Sequence, residues 1–185
     1  ALRPRPASSD KSAAQPTPPR KVLFRATLAS LAREWLLPDT NVFWIADAIR
    51  QCRKILAEED IAAILTTSPP HSVQLVGYAL KRHFPDLPWI ADFRDLWSQS
   101  HLLVDKKLPY RVNYFLERRC LQAADRALVV TEGIRQLTLE KFSRDVVSEE
   151  KLVTLTNGYD PADMTCLPAS RPNDTLTLTF AGSLY

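Results

Sequence analysis

Apolar positions along the chain fall into two patterns, short unbroken runs and stripes of helical period, and their alternation predicts an α/β fold with a parallel sheet. Residues 61–67, 89–91, 126–131 and 151–156 are the runs. They are too short for helices and suit strands buried within a parallel sheet. Between the first two, Val73, Val76, Gly77, Leu80 and Phe84 follow the helical period, with Ser72 placed to cap the helix and Pro85 and Pro88 to close it. Val112, Phe115, Leu116, Cys120 and Ala123 predict the inward face of a helix over 109–123, with Pro109 in its first turn. A further helix is expected over 132–142. Upstream, Ile45, Ala48, Ile49, Cys52 and Leu56 form one stripe, capped by Asp39, Thr40 or Asn41 after the break at Pro38. Strand, helix and strand in succession imply right-handed crossovers and a Rossmann-like parallel sheet with flanking helices.

The ends of the chain read differently. Residues 1–20 contain Pro4, Pro6, Pro16, Pro18 and Pro19 among Ala, Ser and Arg, a composition expected to form a disordered linker. They lack the apolar centre of a secretory signal. Phe24, Leu28, Leu31 and Trp35 then recur at helical spacing, with Arg20, Lys21, Arg25 and Arg33 around them. This predicts a basic amphipathic helix over 24–35, which either packs on its own domain or makes peripheral contact with an anionic membrane surface. Residues 168–173 read as a second linker, and residues 175–185 as an isolated alternating strand, which needs a sheet to join. The expected division is a linker over 1–20, one Rossmann-like domain over 21–170, and over 171–185 a linker with the first strand of a second domain.

Composition narrows the function. A chain of 185 residues, 45% hydrophobic and 24% charged, can bury one ordinary core. The net charge of +3 is spread along the sequence, so no nucleic-acid partner is expected. Cys52, Cys120 and Cys166 lie far apart without metal-ligand spacing, which suggests reduced thiols and a cytoplasmic location; Cys52 and Cys120 look like core residues. No apolar run approaches the roughly 18 residues that span a bilayer. There are only four glycines, and no Walker loop, nucleophile elbow or paired Cys/His motif. Neither a metal nor a cofactor is expected.

Chemistry should gather where the parallel strands end, because α/β sheets bind ligands outside the carboxyl ends of their strands. The loops concerned are 68–72, 92–101, 131–133 and 157–160. The segment PWIADFRDLW, residues 88–97, is the richest, since its apolar run stops at Asp92, Arg94 and Asp95. Arg94 offers a planar fork for a phosphate or carboxylate, and the two aspartates can accept hydrogen bonds from hydroxyls. The same three residues can equally form an ion pair that pins the loop. Ser68 and His71, from SPPHS (68–72), and the turn at Asn157 and Gly158 belong to the same edge. His71 suits a general base or phosphate contact, or an ordinary turn residue. Trp97 and Tyr159 can stack on a sugar face or pack in the core.

Taken in order, SPPHS, PWIADFRDLW, the helix holding Glu117 and Arg118, AADRALVVTEG (123–133), TNGYDP (156–161) and FAGSLY (180–185) resemble glycosyltransferase family 4, of the GT-B fold, over roughly residues 36–185. That resemblance implies two Rossmann-like domains facing a cleft. The first mainly binds the acceptor, and the second binds the nucleotide sugar, which is transferred with retention of configuration. The chain resembles the first domain, with FAGSLY as the opening strand of the second and Gly182 at the turn approaching the donor diphosphate.

On this reading Arg94, Asp92 and Asp95 are the catalytic candidates, with Ser68, His71, Trp97, Asn157 and Gly158 as substrate-binding candidates at the same edge, and the resemblance adds Gly182. The partners implied are a nucleotide-sugar donor and a hydroxyl-bearing glycan or lipid-linked acceptor, and RDLW resembles relatives that build cell-surface polysaccharides. Two departures stand out: residues 1–35 lack the usual opening strand with its glycine-rich loop, and many relatives carry histidine near the place of Arg94. A non-catalytic Rossmann-like binding module is the competing expectation.

Overall fold

The computed structural model describes residues 36–100, 107–164 and 178–180. After a short 3-10 turn at Val42–Trp44 come α1 (Ile45–Glu58), β1 (Ile64–Ser68), α2 (Ser72–His83), β2 (Trp89–Phe93), α3 (Lys107–Ala123), β3 (Arg126–Val129), α4 (Glu132–Lys141) and β4 (Leu152–Thr154). The four strands are all parallel and lie in chain order β1-β2-β3-β4. The expected α/β architecture and parallel sheet are therefore present. The 1–20 linker, the 24–35 helix, Cys166 and Gly182 lie outside the described residues. So does most of the 175–185 strand, of which residues 178–180 carry no regular structure.

Strand alternation sets two faces. Trp89, Ala91 and Phe93 of β2, Ala127 and Val129 of β3 and Leu152 of β4 point one way into a cluster with Cys120 and Leu121 of α3. Leu75 and Tyr78 of α2 and Ile134 and Leu139 of α4 pack against it, so three helices cover this face. α1 packs on α2. Cys120 is fully buried, as expected of a core residue, and Cys52 is partly buried. The register places Leu65 beside Ile90, and Thr67, Asp92, Leu128 and Val153 in one row, on the opposite face. Leu65 is 63% and Val153 43% exposed there.

Three sequence expectations need correction. β2 runs through Asp92 to Phe93 because β1 pairs with it up to Ser68; the ladder outlasts the apolar run, and the edge begins at Arg94. The helix over 109–123 begins at Lys107, and its buried side is Asn113, Glu117, Cys120 and Leu121. Phe115, expected inside, is 50% exposed, because the polar Asn113 and Glu117 have partners in the loop after β2. Ser72 does not cap α2. It is the first helical residue, and its N–H donates to Asp39 Oδ2 at 2.7 Å. Asp39, named for α1, thus serves α2 from 33 positions upstream.

Candidate active site

β1 and β2 are tied at their carboxyl ends by a buried glutamine. Gln74 Nε2 donates to the Asp92 carbonyl at 2.9 Å and to Ser68 Oγ at 3.0 Å, while Thr66 Oγ1 donates to Gln74 Oε1 at 2.6 Å. Ser68 is fully buried in this network. Its hydroxyl is committed to the backbone scaffold of the edge rather than turned to solvent. Arg94 N–H donates to the Ser68 carbonyl at 3.0 Å, so the residue after β2 still follows the ladder.

The arginine and the first aspartate meet on the open side of the sheet. Asp92 is buried, and its Oδ1 lies 3.6 Å from Arg94 Nη1 with no hydrogen-bond partner among the described residues. The guanidinium reaches across to the segment after β4. Nη1 is 3.5 Å from the Leu155 carbonyl, at the limit of a hydrogen bond, and Nη2 donates to Asn157 Oδ1. Asp95 is exposed at the apex of the loop. Residues 155–160 have no regular structure, and Gly158 has no positive φ, so the expected Asn-Gly turn is absent. Tyr159 is 76% exposed.

His71 and Trp97 lie on the helix-covered side. Their rings stack in parallel, with centroids 5.0 Å apart and 3° between planes. Trp97 is only 2% exposed and donates its indole N–H to Asn113 Oδ1 at 2.6 Å. The structure therefore places Trp97 in the core, the second of its two readings. His71 Nδ1 is buried without a hydrogen-bond partner among the described residues. Burial holds the imidazole pKa below its ordinary value, against the opposing pull of Glu117, Asp39, Asp95 and the Leu96 backbone.

Sequence patterns left out Gln74, Asn113, Lys141 and Ser98, and Glu117 figured only in the family resemblance; together they build the floor of this edge. Asn113 and Glu117 did carry a signal: polar residues at i and i+4, followed by Cys120 and Leu121, share one helical face.

A cavity of about 440 Å3 opens beside the loop, lined by Leu96, Ser98, Gln99, Tyr110 and Leu137. A larger one, about 520 Å3, lies at the amino edge of the sheet among Leu56, Ile61, Phe84 and Leu87 with the carboxylates Glu59, Asp60 and Asp86, at the opposite end of the strands from Asp92 and Arg94. The smaller is the better candidate for a substrate, because it adjoins the strand carboxyl ends. Among the described residues no cluster of His, Cys, Asp and Glu could hold a metal, and no helix is long and apolar enough to cross a membrane.

Residues 8–158 match the glycosyl transferase 4-like domain family, more than half of the chain. The chain belongs to that family. No match to a curated protein was found. For the glycosyl transferase 4-like domain, the parallel sheet with helices on one face is the Rossmann-like half of a GT-B fold, and Asp92, Arg94 and Asn157 are brought together at its carboxyl edge.

Proposed function

We propose that this domain forms the acceptor side of a retaining glycosyltransferase, which moves a sugar from a nucleotide donor to an acceptor hydroxyl in cell-surface polysaccharide or glycolipid synthesis. The observation that supports the reading is Asp92 Oδ1, a buried carboxylate oxygen without a hydrogen-bond partner among the described residues, 3.6 Å from the Arg94 guanidinium at the strand ends. A buried unsatisfied acceptor costs stability unless a ligand supplies the donor. An acceptor hydroxyl has that donor. Arg94 then orients phosphate or carboxylate on donor or acceptor, and the exposed Asp95 takes further hydroxyls. Within this reading the donor is held by a second Rossmann-like domain that Gly182 helps to begin, the protein works in the cytoplasm, and the 24–35 segment supports peripheral membrane contact.

One observation favours a second reading, a non-catalytic binding module. Arg94 already spends its fork on Leu155 and Asn157, as a loop pin would. Sugar transfer by a two-domain form, assayed over UDP-, GDP- and dTDP-sugars with glycan and lipid-linked acceptors, separates the two. Turnover that falls on Arg94→Ala supports the enzyme; turnover absent with every pair supports the module.

A further inference from the structure

Beneath the Arg94–Asp95 turn lies an ion pair that the functional reading has not used. Glu117 of α3 and Lys141 at the end of α4 are 2.7 Å apart, with side chains 8% and 7% exposed. The same carboxylate oxygen, Glu117 Oε2, accepts from Ser98 Oγ at 2.6 Å and from Ser98 N–H at 3.1 Å, and Lys141 Nζ also donates to Ser98 Oγ. One oxygen therefore ties two helices to the loop after β2. Next to Ser98, Trp97 is fixed by Asn113 of α3 and by the His71 ring. Arg94, at the other end of the turn, is tied to β1 through Ser68. Residues 94–98 are thus held at both ends, and the exposed Asp95 stands between two anchors.

Burying two charges is expensive, and replacing such a pair with apolar side chains is often neutral or stabilising. Core stability alone therefore gives little reason for ionic groups here. A loop anchor gives a better one, because an ionised carboxylate can take three donors at once and define a geometry that apolar packing leaves loose. We infer that Glu117 is a positioning residue: by holding Ser98 and Lys141 on one oxygen, it sets the Arg94–Asp95 turn in the orientation the transfer site needs. It touches no substrate and acts through the turn. The role rests on the proposed reading of Arg94, while the clamp itself can be tested without it.

The test has two arms. In this chain, hydrogen exchange is followed amide by amide in the wild type, Glu117→Gln and Lys141→Met. Exchange at 94–98 is expected to speed up about tenfold or more, while β2 and α2 amides change much less, the pattern of local rather than global opening. A uniform rise across the domain overturns the clamp. In the two-domain form, Glu117→Gln is expected to lower kcat/KM by about a hundredfold, the cost of misplacing a reacting group by about an ångström. In an Arg94→Ala background the same change should cost little more, since both act through one turn. Additive losses overturn the positioning role. Gly77→Ala, remote from the turn, supplies an additive control. Should Glu117→Gln not fold, Ser98→Ala removes the hydroxyl contact alone and is read the same way. If Arg94→Ala leaves turnover intact, the Arg94 reading and the positioning role fall together, and the exchange arm still reports whether the clamp exists.

Discussion

Gly77 shows how far a single atom is constrained in this domain. A Cβ placed there would sit 2.4 Å from two atoms of the Trp89 indole. Trp89 cannot yield readily, because it is fully buried and its indole N–H donates to Thr66 Oγ1 at 2.8 Å. Gly77→Ala should therefore lower stability by about 1–3 kcal/mol, the usual range for overpacking. A urea midpoint that falls with an unchanged slope would show it; an unmoved midpoint would refute the close packing. His71 makes the second prediction at this scale. Its folded pKa lies below 6.5, so well above pH 6.5 the ring is neutral both folded and unfolded and contributes no pH dependence. As the pH falls through that value the unfolded chain takes up a proton that the buried ring resists, and stability is lost until the folded pKa is passed. The nearby carboxylates Glu117, Asp39 and Asp95 moderate the loss. His71→Gln should flatten the stability profile as the pH falls from about 7. A profile of the same slope in the variant would remove His71 as its source.

Between elements, the long-range cap on α2 is the most economical contact. Asp39 Oδ2 accepts from Ser72 N–H, and Asp39 Oδ1 accepts from Asn41 N–H at 2.8 Å, so one carboxylate joins the chain before α1 to the helix after β1. Asp39→Ala should cost about 0.5–2 kcal/mol, as other lost caps do, and Asp39→Asn should recover most of it. Equal stability of the wild type and Asp39→Ala in chemical denaturation would show that water replaces the cap. This contact also marks the limit of local sequence reading. The strand and helix order was legible because apolar runs and 3.6-residue stripes follow directly from burial on two kinds of surface. The inward side of α3 was not, because the stripe rule counts apolar residues, whereas Asn113 and Glu117 turn inward to satisfy Trp97 and Ser98. β2 was read two residues short for a similar reason. Its last pairs are fixed by β1, and no local pattern at Asp92 announces them. At the site, the charged cluster 92–95 was legible as chemistry in sequence, but its division between an open face and a helix-covered face depends on strand pleating.

At the scale of the molecule, the covered and open faces bear on what the domain can bind. Arg94, Asp92 and Asn157 gather at one edge, yet the described glycines Gly77, Gly133 and Gly158 all have negative φ, and none forms a phosphate-cradling loop. Diphosphate recognition in this kind of fold relies on backbone N–H groups at glycine-rich turns and helix N-termini. α4 starts at this edge with a side-chain cap, Thr131 Oγ1 accepting from Ile134 N–H at 3.2 Å, and its first turn carries Glu132, which repels an anion, while α2 has its first N–H taken by the Asp39 carboxylate. The 185-residue chain by itself should therefore not bind nucleotide sugars at micromolar concentration, and calorimetry with UDP-, GDP- and dTDP-sugars checks this; a micromolar isotherm would mean that the donor site is here. In a two-domain form, Arg94→Ala should lower kcat/KM by about a hundredfold, corresponding to a charged hydrogen bond worth roughly 3 kcal/mol. Arg94→Lys should recover only part of that, because an ammonium cannot reach both Asn157 and a substrate oxygen with the fixed geometry of a fork. The partial rescue is the discriminating measurement. A guanidinium that only pins the loop through Asn157 and Leu155 would be replaced by lysine with near-normal turnover and a small change in stability, whereas one that also meets substrate would leave Arg94→Lys folded, stable and slow.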